Sequence, residues 1–365
     1  MHIRPFRGVF PRQHTVKFED SFFLSVKEQY AEFAKAGMFE QAANEAFYIY
    51  QIRTQLRNFT GLVACAKVED YFEGNIRKHE KTLEAKEKIQ LELLLRRQAS
   101  VKPVLLTYTK VDAIQDWLDD FIAREEPFFE QGFEKGQETH HFWEVSNWED
   151  IKQLSVLFER EVKETYIADG HHRLSAVAHV YEEKGGHTFE QLLCAFFPST
   201  ELVILDFNRV IEMPAHISST HLMARLSEIF EIKALKRATR PRRRHEIIMH
   251  IKKEWYSLQW KPFVLEQYAD EDVLLDAALL NKKVLEEVLQ IEDVRTDQRI
   301  KYVEGPKGLR GLQKATKGCK RGVGFCLYPV SFEELAILAD QDKMLPPKST
   351  WFEPRMKNGL VVQAF

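Results

Sequence analysis

The sequence predicts an α/β or α+β fold. The chain has 365 residues, a length that suggests two domains or one large one. Hydrophobic residues make up 44% of the chain and charged residues 29%, an ordinary balance for a folded globular protein. Segments rich in strand formers and segments with helical spacing alternate over the whole chain. This mixture indicates a fold that combines strands and helices.

The first predicted domain covers residues 1–212. Helical spacing predicts helices within 21–46, 111–123 and 148–160. Runs of apolar and β-branched residues predict strands at 47–52, 61–68, 100–109, 140–145, 192–198 and 202–207. The first two of these strands flank a polar link and should form a hairpin-like pair. The charged run 75–97 contains good helix formers and neither Gly nor Pro, so it predicts a further helix.

The second predicted domain covers residues 213–365 and also mixes the two element types. We predict helices at 220–230, 242–253, 272–290 and 331–340, and strands at 255–260, 300–303 and 324–328. The tail 345–354 is extended and polar, and its composition is specific enough to suggest that it returns to a functional site.

Composition and charge narrow the functional classes. The net charge is −3, which does not indicate a general attraction to nucleic acid or to an anionic membrane. The four cysteines are scattered and form no Cys-x-x-Cys pair, as in a reduced, cytoplasmic protein. We find no apolar signal segment at the N-terminus and no uncharged window long enough to span a membrane.

One turn holds too many polar residues for a core position. From residue 166 the sequence reads Tyr-Ile-Ala-Asp-Gly-His-His-Arg-Leu-Ser-Ala, between a predicted strand and a predicted helix. Such a turn presents free backbone N–H groups and the positive end of the helix dipole, which together suit an anion. Gly170 would let a phosphate approach the backbone, and His171, His172 and Arg173 would add donors.

Asp169, at the start of the same turn, could cap the helix or hold Mg²⁺. The bland interpretation of the whole turn is a capped helix start with solvated side chains. From the residues alone, we consider a phosphate site and a capped helix start about equally well supported, because a strand–Gly–helix pattern is a weak signal.

A second polar group lies earlier, at Arg77, His79, Glu80 and Thr82. On a helix, Arg77 and Glu80 would lie three residues apart on one face. Glu80 could then be a general base, and His79 a second proton carrier or a phosphate ligand. Spacing alone favours an exposed charged helix with local ion pairs.

Three further groups are weaker candidates. Lys348, Ser349 and Thr350 follow two prolines and could bind an oxyanion, although a polar loop is the more common outcome. The basic run 236–245 could contact nucleic acid, but it has no interleaved aromatic residues, and we favour a solvated loop. The histidine pairs at 140–141 and 171–172 have no third partner at ligand spacing, so a metal cluster is not indicated.

Five motifs, in one order, resemble the bacterial and archaeal family called domain of unknown function 1015. They are Ile76 to Thr82, Lys102 to Leu105, Tyr166 to Arg173, Phe207 to Arg209 and Pro347 to Thr350. The resemblance covers nearly the whole chain, and the combination is specific although each motif is short.

The Asp-Gly-His-His-Arg turn is also similar to the phosphate-binding turn of the ParB/sulfiredoxin superfamily, which includes partition proteins, sulfiredoxin and free serine kinases. This resemblance implies a ParB/sulfiredoxin-like phosphate-binding domain over residues 1–212. In free serine kinases a glutamate activates the substrate hydroxyl, and this turn holds the donor phosphates. By position, Glu80 would be the base and residues 169–173 the phosphate site. No cysteine lies near the turn, which excludes the sulfiredoxin reaction.

The leading hypothesis is a phosphotransferase for a small hydroxylated metabolite, with free L-serine as the best guess. Glu80, His79 and Asp169 would be catalytic, and Mg²⁺ held at Asp169 would help to offset the charge of an ATP, ADP or pyrophosphate donor. Further phosphate contacts would come from Arg77, Lys348, Ser349 and Thr350. We expect neither nucleic acid nor membrane as a partner and leave a homo-oligomer open. The alternative is a non-catalytic nucleotide- or DNA-binding module of the ParB type, and a phosphatase or nucleotide hydrolase is a lesser option.

Overall fold

The chain folds into two units, and the residues of the second lie between the two segments that form the first. The computed structural model describes residues 1–13, 19–133, 136–185 and 189–365. The first unit comprises Met1–Val203 and Pro354–Phe365, and the second comprises Ile204–Glu353. Both combine a sheet with helices, so the predicted mixed fold class is confirmed.

The first unit is built on a nine-stranded mixed sheet. The strands of this part of the chain are β1 (Ile3–Arg4), β2 (Val9–Pro11), β3 (Phe39–Gln41), β4 (Phe47–Thr54), β5 (Asn58–Lys67), β6 (Ile76–Arg77), β7 (Ala99–Ser100), β8 (Val104–Tyr108), β9 (Phe129–Phe133), β10 (Glu138–Val145), β11 (Thr165–Asp169) and β12 (Gln191–Pro198). Of these, β2 and β3 form a separate pair, and β7 also lies outside the nine-stranded sheet. The order in the sheet is β6-β11-β8-β12-β5-β4-β10-β9, with β1 beside β5. The predicted pairing of β4 with β5 is confirmed and is antiparallel.

Helices cover this sheet and complete its core. They are α1 (Asp20–Lys35), α2 (Glu69–Phe72), α3 (Glu84–Arg97), α4 (Asp112–Arg124), α5 (Trp148–Glu161) and α6 (His171–Glu183), followed by a 3₁₀ turn at Ser199–Glu201. The predicted helices at 111–123 and 148–160 are confirmed as α4 and α5. Apolar residues that face the helices, such as Ile49, Leu62 and Phe196, are fully buried. Their removal from water is the main force that holds the unit together.

The helix predicted from residue 75 is wrong over its first part. Residues 76 and 77 form β6, which runs parallel to β11 with Thr165 opposite Ile76 and Tyr166 opposite Arg77. The helix α3 begins only at Glu84. The side chain of Ile76 is buried, whereas residues 78–82 are all polar and offer no apolar stripe to pack against a core. Arg77 and Glu80 therefore do not share a helix face.

The second unit contains a six-stranded sheet that is antiparallel throughout. The strands of this part of the chain are β13 (Val203–Leu205, at the boundary), β14 (Phe207–Glu212), β15 (Phe230–Leu235), β16 (Glu246–Ile251), β17 (Glu254–Trp260), β18 (Ile300–Glu304), β19 (Gly322–Cys326) and β20 (Trp351–Glu353). Of these, β13 and β20 form a separate pair outside the six-stranded sheet. The sheet order is β15-β17-β16-β19-β14-β18. The helices are α7 (Ser219–Ile229), α8 (Pro262–Glu266), α9 (Asp276–Leu279), which continues as a π-helix at Leu280–Glu286, α10 (Gly308–Lys317) and α11 (Phe332–Asp340), with a 3₁₀ turn at Gly305–Lys307.

The helix predicted at 242–253 is also wrong, because this segment forms one arm of a hairpin. β16 pairs with β17 so that Ile251 lies opposite Glu254. Lys252 and Lys253 form the two-residue connection, and both have positive φ angles, 48° and 71°. Such φ angles are typical of tight β-hairpin turns. The strand has buried residues on both faces, so its apolar run lacks the alternation that usually identifies a strand.

The C-terminal segment belongs to the first unit, which differs from the predicted division after residue 212. Gln363–Ala364 forms β21, which pairs with β7, and Val9 and Val362 exchange backbone hydrogen bonds of 2.9 Å. At the other boundary, β14 pairs with β18 and β19 and so places residues 207–212 in the second unit. Within the described ranges, the chain forms no helix that combines the length and the apolar character needed to cross a bilayer.

Candidate functional site

The turn between β11 and α6 has a backbone geometry that requires glycine. Gly170 has φ 109° and ψ 21°, a region that residues with a side chain rarely adopt. Its carbonyl oxygen accepts hydrogen bonds from the amides of Arg173 and Leu174 at 2.9 and 3.0 Å. A Cβ at this position would lie only 2.7 Å from Nη2 of Arg173. The missing side chain thus lets the guanidinium group lie directly over the turn.

Three cations surround Asp169, the last residue of β11. Oδ2 of Asp169 lies 2.9 Å from Nη2 of Arg173 and 3.7 Å from Nζ of Lys102. Oδ1 accepts a hydrogen bond of 2.9 Å from Nη1 of Arg355. Burial alone would raise the pKa of Asp169, but Arg173, Lys102 and Arg355 outweigh that effect and hold the pKa below its usual range. The cluster therefore carries more positive than negative charge.

This arrangement does not match the roles predicted for Asp169. The residue that caps α6 is Gly170, and no side chain caps the helix. Both carboxylate oxygens of Asp169 form ion pairs. The three cations lie 2.9–3.7 Å from these oxygens, so they would repel a Mg²⁺ ion bound there. In the part of the chain that the structure describes, no three His, Cys, Asp or Glu side chains are placed to hold a metal ion together. Asp169 instead forms ion pairs with Arg173, Lys102 and Arg355.

Glu80 reaches the first residue of α6 from a distant part of the chain. Its Oε2 atom lies 4.0 Å from Nδ1 of His171, and 39% of its side chain is exposed. His79 is buried beside it, with its ring edge-on to the ring of His171 at 4.6 Å between centroids. The structure thus brings Glu80, His79 and the turn together.

Both of these imidazole rings are neutral near pH 7. Burial, and then the neighbouring His171, lower the pKa of His79 well below its usual value. Burial is also the main reason that the pKa of His171 falls to about 4, against the opposing effect of Asp169. Nε2 of His171 is buried and has no hydrogen-bond partner among the described residues. A ligand that supplied such a partner would relieve a cost of burial.

Two other predicted residues, Arg77 and His172, differ in their distance from the turn. Nη2 of Arg77 is 3.9 Å from Oε1 of Glu164, so this pair lies at the start of β11 rather than at its end. His172 occupies the second position of α6 and is partly buried. The phosphate contacts predicted for both residues stay predictions.

A hydrogen bond between two helices holds α6 in place. Oγ of Ser175 donates to Oε1 of Glu87 in α3 at 2.5 Å. The pKa of Glu87 is lowered, chiefly by this hydrogen bond and by a second one from Thr82. Thr82 follows Glu80 by two residues, so the loop that carries Glu80 is tied to the same carboxylate.

Lys348, Ser349 and Thr350 lie in the second unit. Nζ of Lys348 is 5.2 Å from the ring centroid of Phe207, and the lysine has a positive φ of 58°. Oγ of Ser349 donates to the carbonyl oxygen of Pro346 at 2.7 Å, which is a local loop contact. Their proposed role in phosphate binding stays a prediction.

The basic run 236–245 folds onto its own unit. Arg244 lies 3.1 Å from Glu334, and Arg243 donates to Gln259 at 3.2 Å. The backbone amide of Arg242 donates to Glu246 at 2.7 Å. These contacts agree with the interpretation as a solvated connecting loop, here between β15 and β16.

Sequence reasoning missed two members of the charged cluster. Lys102 was visible only as part of a Lys-Pro motif before a buried strand, and Arg355 gave no signal because its partner lies 186 residues away. Burial lowers the pKa of Lys102 to about 8, although Asp169 opposes this effect. A lysine whose pKa is lowered in this way beside a charged partner is a candidate for a functional site.

The comparison with solved structures found several matches at low sequence identity. SbnI from Staphylococcus aureus, with a C-terminal truncation, is 10% identical, with a TM-score of 0.45 over 81% of this chain and 85% of that chain. A free serine kinase in complex with AMP is 13% identical, with a TM-score of 0.41 over 82% and 92%. A conserved hypothetical protein from Pyrococcus furiosus is 13% identical, with a TM-score of 0.38 over 82% and 95%.

The comparison with curated proteins found no match. The sequence does match one protein family over residues 10–285, which is most of the chain. The chain therefore belongs to the family described as "Protein of unknown function (DUF1015)".

Proposed function

We propose that the chain is a phosphotransferase that transfers a phosphoryl group to the hydroxyl group of a small metabolite. The observation that carries this proposal is the position of Glu80, whose carboxylate lies 4.0 Å from His171 at the start of α6. A carboxylate that can take a proton is thereby next to a turn suited to a phosphate. Free L-serine is the best guess for the acceptor, because the turn resembles that of free serine kinases.

The donor phosphates would bind at the turn. The N-terminus of α6 carries a partial positive charge, and Arg173, Lys102 and Arg355 add full charges beside it. Phosphoryl transfer requires mainly that charge is neutralised and that the reacting groups are positioned. ATP, ADP or pyrophosphate would fit this description. In this proposal Asp169 positions the cations and does not act as a magnesium ligand.

Glu80 would act as the base. It would take the proton from the acceptor hydroxyl, whose oxygen then bonds to phosphorus while the bond from phosphorus to the donor's bridging oxygen breaks. The negative charge that stays on the donor would be stabilised by the cations around Asp169. His171 is neutral and can donate one hydrogen bond, and His79 would position its ring.

The proposal is tested by incubating the purified chain with L-serine and each donor, and by measuring phosphoserine by mass spectrometry. We expect Glu80→Gln to reduce the rate by about 10²-fold or more, the usual contribution of a general base. Glu84→Gln is the matched control, because Glu84 is exposed in the first turn of α3 and lies in the same segment. Full activity in the Glu80 variant would show that the base is wrongly assigned.

The non-catalytic alternative predicts a different pattern of results. A binding module of the ParB type would take up the nucleotide with or without Glu80 and would form no phosphorylated product from any hydroxylated metabolite. Its DNA-binding form would use the basic run, whose arginines 242–244 are exposed even though Arg244 and Arg243 contact Glu334 and Gln259 in their own unit. DNA binding at low salt that weakens steeply as salt increases would favour this alternative.

A further inference from the structure

A cavity of about 290 Å³ opens inside the first unit, on the side of α6 that faces the sheet. Its wall includes residues of α3 and α6, the ends of β8 and β12, and Asn358 from the C-terminal segment. This volume is at the lower end of the range of small-molecule sites. The cavity shares Lys102 and Arg173 with the donor site proposed above, but no role proposed for Glu80, His79 or His171 uses its space.

One wall of the cavity is strongly basic. Lys27, Arg97, Lys102 and Arg173 all line it, and no Asp or Glu is among its lining residues within the described part of the chain. Lys102 and Arg173 share Asp169, which lies outside the lining. Arg97 donates only to the backbone carbonyl oxygens of Leu93 and Lys27 in its recorded hydrogen bonds. The positive charge of this wall is therefore not balanced inside the cavity.

The rest of the lining is apolar or neutral. Leu94, Val104, Val177 and Leu193 are buried and form an apolar floor. Gln90 and Asn358 add neutral polar groups at the side. A cavity with a basic wall and an apolar floor suits a molecule that has an anionic end and an apolar or planar body. A free ammonium group would find no carboxylate partner there.

Arg173 supports the same conclusion. Its Nη2 atom donates to Asp169 at 2.9 Å and to the carbonyl oxygen of Pro103 at 3.2 Å. Its Nε atom is buried and has no hydrogen-bond partner among the described residues. A buried guanidinium nitrogen without an acceptor is costly, and an anion in the adjoining cavity could provide one.

We propose that this cavity is a binding site for an organic anion, with its charged group against Lys102, Arg97 and Arg173 and its apolar or planar body against the leucine and valine floor. The site adjoins the turn through Lys102 and Arg173. It does not require phosphoryl transfer, so it can hold even if the chain has no kinase activity. The anionic group could be a phosphate or a carboxylate, since both suit arginine and lysine.

The test uses isothermal titration calorimetry on the full chain with four probes. Inorganic phosphate presents the anion alone, and adenosine presents a planar body alone. AMP and indole-3-acetate combine a planar body with a phosphate and with a carboxylate. We expect at least one of the two combined probes to bind at least about tenfold more tightly than phosphate or adenosine, because it gains both charge pairing and apolar burial. The tighter of the two identifies the better-matched combination of anionic group and planar body.

Two variants locate the binding. Gln90→Glu keeps the shape of a lining side chain but adds a negative charge, and should weaken the tighter combined probe at least about tenfold. Gln29→Glu makes the same change at an exposed position of α1 outside the cavity and should have little effect. Ala176→Phe places a ring in the cavity and should remove the advantage of the combined probe over phosphate.

The proposal is overturned if neither combined probe binds more tightly than phosphate and adenosine. It is equally overturned if Gln90→Glu and Ala176→Phe both bind the probe as the natural chain does, because the probe then binds elsewhere. A thermal melt of each variant guards against misfolding. Gln90→Glu should melt no lower than the natural chain, since a carboxylate beside unbalanced cations is favourable in the empty cavity.

Discussion

Replacing Asp169 by Asn would test whether this residue organises the cations at the turn. Asparagine keeps the shape of the side chain but removes its charge. Arg173 and Arg355, each 2.9 Å from a carboxylate oxygen, and Lys102 at 3.7 Å would then face each other without a counter-charge. Removing one partner of a buried ion cluster typically costs about 3–5 kcal/mol of stability. Because 25% of the Asp169 side chain is exposed, we expect roughly 3 kcal/mol.

The pH dependence of this loss follows from the lowered pKa of Asp169. A carboxyl group whose pKa is lower in the folded state than its ordinary value of 3.8 stabilises the fold fully only above that value. The stabilisation is lost as the pH falls below about 4. The difference in stability between the natural chain and Asp169→Asn should therefore be constant near neutral pH and should shrink in acid.

The measurement is a denaturant titration in which unfolding is monitored by hydrogen exchange of peptides. Peptides from the first unit report the unfolding of that unit separately from the unfolding of the second. Asp112→Asn is a matched control, because Asp112 is 81% exposed and pairs only with Lys110 in the recorded salt bridges. If Asp169→Asn loses no more stability than this control at pH 7, Asp169 does not organise the cluster.

Three further substitutions probe the same region. Gly170→Ala should lower the free energy of unfolding by about 2 kcal/mol and weaken phosphate binding. The reason is that the φ of 109° disfavours a side chain and that the new Cβ would lie 2.7 Å from Arg173. An unchanged melting temperature together with an unchanged calorimetric titration would show that the turn tolerates a side chain. The affinity for phosphate should fall as the pH rises through 8, because the pKa of Lys102 is about 8. Lys102→Arg should make this fall smaller, because arginine keeps its charge. An equal decrease in both proteins would contradict the assignment of Lys102 to phosphate binding. Ser175→Ala removes the 2.5 Å hydrogen bond to Glu87 and should destabilise the first unit by about 1 kcal/mol, with Ser155→Ala on α5 as the comparison.

Elements with a local signal were predictable from the sequence. The strands β4 and β5 are apolar runs on either side of a polar link, and their pairing depends on residues close in sequence. The helices α4 and α5 show clear apolar periodicity, with Leu118 and Leu154 fully buried on the inner faces. Such patterns directly reflect the spacing of buried side chains, so they identify an element without knowledge of its neighbours.

Elements defined by distant partners were not predictable in this way. β6 is a strand only because β11, about ninety residues later, lies beside it. The hairpin arm β16 is buried on both faces, so it lacks the alternation of a strand, and its sequence is interpreted as a helix. The same limit applies to the site. The turn at Gly170 was readable from its composition, whereas Lys102 and Arg355 gain their meaning from contact with Asp169.

The position of the C-terminal segment has a consequence for how the protein is made. The second unit is an insertion in the chain of the first, because residues 354–365 come after it and yet belong to the first unit. Gly359 donates a hydrogen bond to Val101 at 2.6 Å, and Arg355 and Asn358 belong to the charged cluster and the cavity wall. During synthesis these groups emerge only after the whole second unit. A ribosome that stops before residue 354 would therefore release a chain whose charged cluster lacks Arg355.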